Sequence, residues 1–225
     1  MYKIEKVPQI FLKNLNGFLS GTGLTLELAF YTVLFGTLLG VIVTLLRRCK
    51  IAPVRWLMTL YVEFLRGTPL LVQALMVVYG APTLGINPGR KVLSIVALVI
   101  NSSAYMSEIV RAGIQSIDRG QTEAAVSLGM TPTQNMVYII LPQAIKTTLP
   151  AMGNEFVSII KESSLLYAVG LFELTYQAQK LAATNYLYLE TMTVAALIYF
   201  VLTFTTSKLL GILERRLRQD ERRNH

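Results

Sequence analysis

Long stretches of the chain carry no charged residue, and their spacing predicts its architecture. Leu28 to Leu46 is a charge-free run of 19 residues, enough to cross a ~30 Å hydrocarbon core at ~1.5 Å per helical residue. Gly67 to Gly89 is also charge-free; Pro69 interrupts it, and it extends backwards through Trp56 to Leu65. Val92 to Ser107 and Thr191 to Ser207 are two further runs. A more polar stretch, Thr147 to about Val169, carries Glu155, Lys161 and Glu162. The pattern predicts five transmembrane helices, at roughly 20–46, 55–80, 91–113, 147–168 and 188–212. The expected fold class is therefore all-α: a polytopic integral membrane protein with one transmembrane domain over residues 1–225 and no internal repeat. The first span does not read as a signal peptide, because its apolar run is too long, Glu5 precedes it and no A-x-A site follows. Gly36-x-x-x-Gly40 on that span permits close packing of another helix.

Composition supports lipid as the solvent. Hydrophobic residues make up 53% and charged residues 15% of the chain, where a soluble domain carries roughly 25% charged residues. The single cysteine, Cys49, excludes an intrachain disulfide, and the single histidine, His225, argues against a histidine-based metal site. The net charge of +8 would suit a nucleic-acid binder, but the basic residues cluster beside apolar runs, which fits membrane orientation instead. With the C-terminus inside, thirteen Lys and Arg lie on the cytoplasmic side and seven outside, with Arg66 left within a span. The bias predicts an extracytoplasmic N-terminus, a cytoplasmic C-terminus, and a basic tail at about 213–225 lying against anionic headgroups.

The segment Asp118 to Pro142 is too polar to cross the membrane. Asp118-x-x-Gln121 reads as a helix N-cap with a capping box, and Ala124, Ala125 and Leu128 give that helix an apolar face. Gly129 supplies a left-handed stop. Thr131-Pro132-Thr133-Gln134 then restarts a helix, with Thr131 as cap, proline in the first turn and Gln134 closing a second box.

Polar groups are costly inside a bilayer and mark function by default. Counted from the predicted span ends, Arg66 lies about 15 Å deep, Asn101, Ser102 and Ser103 about 14–17 Å, and Glu155 about 12 Å. All three levels converge near the middle of the core. Span two also breaks there: Pro69 lacks an N–H and disfavours helix at Thr68, which leaves the carbonyl of Leu65 without its helical partner. Broken helices at this depth commonly line a polar ligand site. Arg66 either meets a ligand or pairs with Glu63 one turn back, and Glu155 either lines a pocket or pairs with Lys146 or Arg66. Glu108 and Arg111, three apart, read as a structural ion pair. Tyr176, Tyr186 and Tyr188 read as interface anchors.

Glu123-Ala124-Ala125, three intervening residues, Gly129, nine more, and then Ile139-x-Leu141-Pro142 resembles the EAA loop of ABC-importer permease subunits. Phe64-Leu65-Arg66-Gly67-Thr68-Pro69-Leu70-Leu71-Val72-Gln73 resembles the second-span signature of the polar amino-acid branch. Ala104 to Ile114, Gly153-Asn154-Glu155-Phe156 and Lys161 to Leu165 resemble its third and fourth spans. The likeness extends from about residue 17 to 215. It implies a bacterial inner-membrane permease of five helices, paired with a second permease subunit, an ABC ATPase dimer and an extracytoplasmic substrate-binding protein. No G-x-x-x-x-G-K-[ST] occurs in the sequence, so ATP and Mg are expected on the partner ATPase, with no cofactor or metal on this chain and no nucleic-acid partner. The resemblance makes a loop at about 116–140 the coupling element, with Glu123, Ala124, Ala125, Leu128 and Gly129 docking on the ATPase. A zwitterionic substrate then needs donors for its carboxylate and acceptors for its ammonium, which Glu155, Thr68, Asn101, Ser102 and Arg66 would supply. The competing reading is an ion-gradient-driven transporter with Glu155 and Glu63 as proton carriers. Histidines and clustered carboxylates are absent from the predicted spans, which disfavours a membrane enzyme.

Overall fold

The computed structural model describes residues 5–223, with side chains to Arg215. Lys3 and the side chains of the basic tail beyond Arg215 lie outside the described residues. A short helix α1 (Lys6–Lys13) leads through Asn14 into α2 (Leu15–Arg47). Then come α3 (Ala52–Gly67), α4 (Leu70–Thr83) and α5 (Arg90–Gln115). The polar loop forms α6 (Arg119–Ser127) and α7 (Pro132–Gln134). A π-helical segment Asn135–Ile140 continues α7 into α8 (Leu141–Glu162), and a 3-10 segment Ser163–Val169 extends it. The described chain ends with α9 (Leu174–Asn185) and α10 (Tyr188–Arg223).

Among the described residues three helices are long and apolar enough to span a membrane: Leu15–Arg47, Arg90–Gln115 and Tyr188–Arg215. The bent pair α3 and α4 supplies a fourth if it counts as one crossing. The second span breaks where Pro69 leads one to expect. Residues 55–80 are not one rod but two helices set 108° apart, because Thr68 is extended (φ −119°, ψ 148°) and Pro69 cannot donate. The expected fourth span is helical but begins earlier, at Leu141, and Lys146, Glu155, Lys161 and Glu162 lower its hydropathy. Pro142 removes an N–H in its first turn, and the helix passes that point through the π segment.

The centre of the bundle is the α2–α5 pair. A Cβ on Gly36 would lie 3.0 Å from Ser102 Oγ, and one on Gly40 would lie 2.6 Å from Met106 Cβ. The two glycines therefore admit the α5 backbone at close range. Thr44 seals the end of the contact, its Oγ1 donating to the carbonyls of Gly40 (2.8 Å) and Ser107 (3.0 Å). One apolar cluster joins Leu28, Ala74, Leu98 and Leu166, from α2, α4, α5 and the 3-10 segment. A second joins Ile10, Phe18, Ala178 and Val194, from α1, α2, α9 and α10. Large side chains such as Phe30, Leu38 and Phe200 stay exposed, as a bundle immersed in lipid requires.

Helix α9 falls in a stretch that the charge-free runs leave as loop. Glu173 caps it, accepting from the amides of Thr175 (2.8 Å) and Tyr176 (2.7 Å) and from Tyr199 Oη (2.9 Å). Of the tyrosines expected as anchors, Tyr186 and Tyr188 are exposed, at the turn between α9 and α10.

Candidate functional site

The break in span two is repaired by side chains. Gln73 Nε2 donates to the carbonyl of Leu65 (2.9 Å) and to Thr68 Oγ1 (2.8 Å), and Asn101 Nδ2 donates to Gln73 Oε1 (3.0 Å). The carbonyl freed by Pro69 thus finds a donor inside the protein. Gln73 belongs to the quoted signature, but spacing alone does not reveal which amide reaches that carbonyl. Thr68 and Asn101 are both engaged in this repair, and Asn101 is buried. Gln73→Ala is expected to leave the Leu65 carbonyl and the Asn101 amide with only their long mutual contact of 3.5 Å and to cost about 1–3 kcal/mol. Thermal denaturation in detergent measures this, and an unchanged melting temperature would show that the repair contributes nothing.

Below the break is a cleft of about 430 Å³ lined by Arg66, Tyr105, Glu108, Thr148 and Glu155 among others. The structure therefore unites residues from α3, α5 and α8 that are 89 positions apart at the extremes, Arg66 and Glu155. Glu155 accepts a hydrogen bond from Ser102 Oγ at 3.1 Å. The Arg66 guanidinium lies 5.7 Å from the centroid of the Tyr105 ring, a cation–π distance. Among the described residues Arg66 forms no ion pair with Glu63 or with Glu155. Glu108 is committed elsewhere: it binds Arg47 (2.9 Å) and, as the spacing predicts, Arg111. A carboxylate and a guanidinium thus line one cleft with neither neutralising the other. Such a pair attracts a dipolar solute with one charge of each sign.

The cleft's other wall leads to the polar loop. Asp118 caps α6 through the amide of Gly120 (2.7 Å). Gln121 does not complete the expected box; its side chain accepts from Gln143 Nε2 at 3.4 Å. Gly129 is left-handed (φ +76°), its amide donating to Val126 (2.9 Å) and that of Met130 to Ala125 (3.0 Å), the paired bonds of a Schellman stop. Thr131 and Gln134 form the predicted box. The apolar face of α6 is divided. Ala125 is 3% exposed, turned into the chain itself, whereas Leu128 is 82% exposed. Glu123 and Ala124 face outward with Leu128. Helix α6 rests on the π segment, where Asn135 Nδ2 donates to Thr122 Oγ1 (3.3 Å).

An apolar bundle whose polar groups line a passage-like cleft, with a capped helical elbow beside it, defines a membrane permease. The chain belongs to the family described as binding-protein-dependent transport system inner membrane component, matched over residues 36–219, and within it to the ABC-importer permeases for amino acids. It is 37% identical over 204 residues to the arginine transport system permease protein ArtQ of Bacillus subtilis (strain 168), covering 90% of this chain and 93% of that protein. It is 38% identical over 208 residues to the probable glutamine ABC transporter permease protein GlnM of the same organism, covering 92% and 96%. The crystal structure of an amino acid ABC transporter with histidines superposes with a TM-score of 0.88 at 46% identity, covering 92% of this chain and 96% of that one. The inward facing MetNI methionine ABC transporter shares the fold, with a TM-score of 0.78 at 19% identity and coverage of 91% and 98%.

Proposed function

We propose that this chain, the translocation-pathway subunit of an ABC importer for polar or charged amino acids, passes its substrate between Glu155 and Arg66. Glu155, oriented by Ser102, receives the ammonium group or a cationic side chain. Arg66, held over Tyr105, receives the carboxylate. Thr68 and Asn101 keep the broken helix open around the solute. The observation that carries this reading is the unpaired Glu155–Arg66 cleft in a chain of this family. Arginine and glutamine, named for two relatives, are the first substrates to test.

The family architecture supplies the remaining parts. A second permease subunit completes the pathway, an extracytoplasmic substrate-binding protein delivers the amino acid, and an ATPase dimer binds ATP and Mg. In this reading five crossings are α2, the α3–α4 pair, α5, α8 and α10, with the N-terminus outside and the C-terminus inside. Glu123, Ala124, Leu128 and Gly129 meet the ATPase, and Ala125 braces α6 from within. ATPase closure pushes α6 against the π segment. Helical backbone is continuous from Pro132 through Glu162, so the push reaches Glu155.

Glu155→Gln tests the cleft. In proteoliposomes holding the complete transporter, uptake of labelled arginine or glutamine is expected to fall at least tenfold while basal ATP hydrolysis is retained. Uptake at the normal rate would remove Glu155 from the pathway.

A further inference from the structure

The cleft between α1, α2 and α9 belongs to none of the machinery described above. It lies at the opposite end of α2 from Arg47, and the 33 residues of that helix correspond to ~50 Å. Its volume is about 550 Å³, with Lys13 and Lys180 in its lining. Both lysines are exposed. Among the described residues no carboxylate lies within ion-pairing distance of either. Asn14, at the junction, donates its side-chain amide back to the carbonyl of Ile10 (2.9 Å) and does not cap α2. The first turn of α2, which lines the same cleft, therefore has no side-chain cap. Two ammonium groups and a helix N-terminus face one space without a counter-charge, and each favours an anion.

Beside the polar lining, two leucines open the cleft toward the lipid-facing side of α2. Leu12 and Leu15 line it, and Leu12 is 68% and Leu19 58% exposed. Leu15 and Leu19 are four apart and so share one face of α2. A soluble anion gains nothing from these leucines. An amphiphile with an anionic head satisfies both parts.

We propose that this cleft binds an anionic phospholipid. The headgroup phosphate sits between Lys13 and Lys180 at the start of α2, and an acyl chain runs along Leu15 and Leu19. Lysine stems reach a headgroup while their methylenes remain on apolar surface.

Native mass spectrometry of the intact transporter, titrated with phosphatidylglycerol or phosphatidylcholine, tests the assignment. Retention of phosphatidylglycerol is expected to exceed that of phosphatidylcholine about tenfold or more, as two lysines near an anionic headgroup supply. The preference is expected to vanish in Lys13→Ala/Lys180→Ala, to survive in Lys13→Arg/Lys180→Arg, and to resist millimolar inorganic phosphate. Equal retention of the two lipids by the unsubstituted protein would overturn the proposal, whether or not the alanine variant folds. So would full retention of phosphatidylglycerol by the alanine variant, or its displacement by inorganic phosphate. An alanine variant that keeps its lipid but loses stimulation of ATP hydrolysis by the binding protein would make the cleft a protein-docking pocket instead.

Discussion

Gly40→Val is expected to deplete folded protein from the membrane. A Cβ at this position would lie 2.6 Å from Met106 Cβ, 2.9 Å from the amide nitrogen of Ser107 and 3.0 Å from the carbonyl oxygen of Ser103. Two of those three atoms are α5 backbone, which cannot rotate away. The helices must separate, and the cost is on the order of 3 kcal/mol or more, the upper part of the overpacking range. Separation also moves Ser102, the donor to Glu155, so any surviving protein loses the orientation of its cleft. Membrane abundance and the melting temperature in detergent report the effect. Gly23→Ala, on the same helix but with open space around its Cβ, is the matched control and is expected to be neutral or slightly stabilising. If the two variants behave alike, the α2–α5 contact does not hold the bundle.

Gly129→Val is expected to separate ATP hydrolysis from uptake without removing the protein. Nothing lies within 4 Å of a Cβ at this position, so the obstacle is the backbone alone. A φ of +76° costs an L-residue roughly 1–2 kcal/mol, and a β-branched side chain tolerates it least. The Schellman stop opens, and α6 loses its set angle to the helix that begins at Pro132. Transport is expected to fall at least tenfold, with the permease still inserted and its melting temperature lowered by only about 2–8 °C. Gly129→Asn should retain more transport than Gly129→Val, because asparagine tolerates the left-handed region. Equal loss in both would place the defect in contact with the ATPase. Normal uptake by Gly129→Val would remove the elbow from the mechanism.

Features written in local chemistry were legible in the sequence. Pro69 announces a break, Gly129 a left-handed stop, Thr131 and Gln134 a capping box, and Glu108 and Arg111 a pair one turn apart. Each depends on residues within four positions. The convergence of Arg66, Ser102 and Glu155 was legible for a different reason, since helical rise converts sequence position into depth. The repair of the Leu65 carbonyl by Gln73 was not, because it depends on how α4 swings through 108°. The inward turn of Ala125 was hidden for a similar reason: α6 has a neighbour, the π segment, that periodicity does not show. Charges on α8 disguised its length, and the short apolar stretch of α9 fell below what a membrane crossing demands.

The π segment has a consequence for motion. A π turn packs more residues into a turn than an α turn does, so Asn135–Ile140 holds chain in reserve, like slack paid into a taut line. A shove on the elbow can draw on that reserve and tighten the coil to α geometry without unwinding it. In the proposed mechanism the rod beyond would then advance and turn together, carrying the carboxylate at 155 sideways as well as along the helix axis.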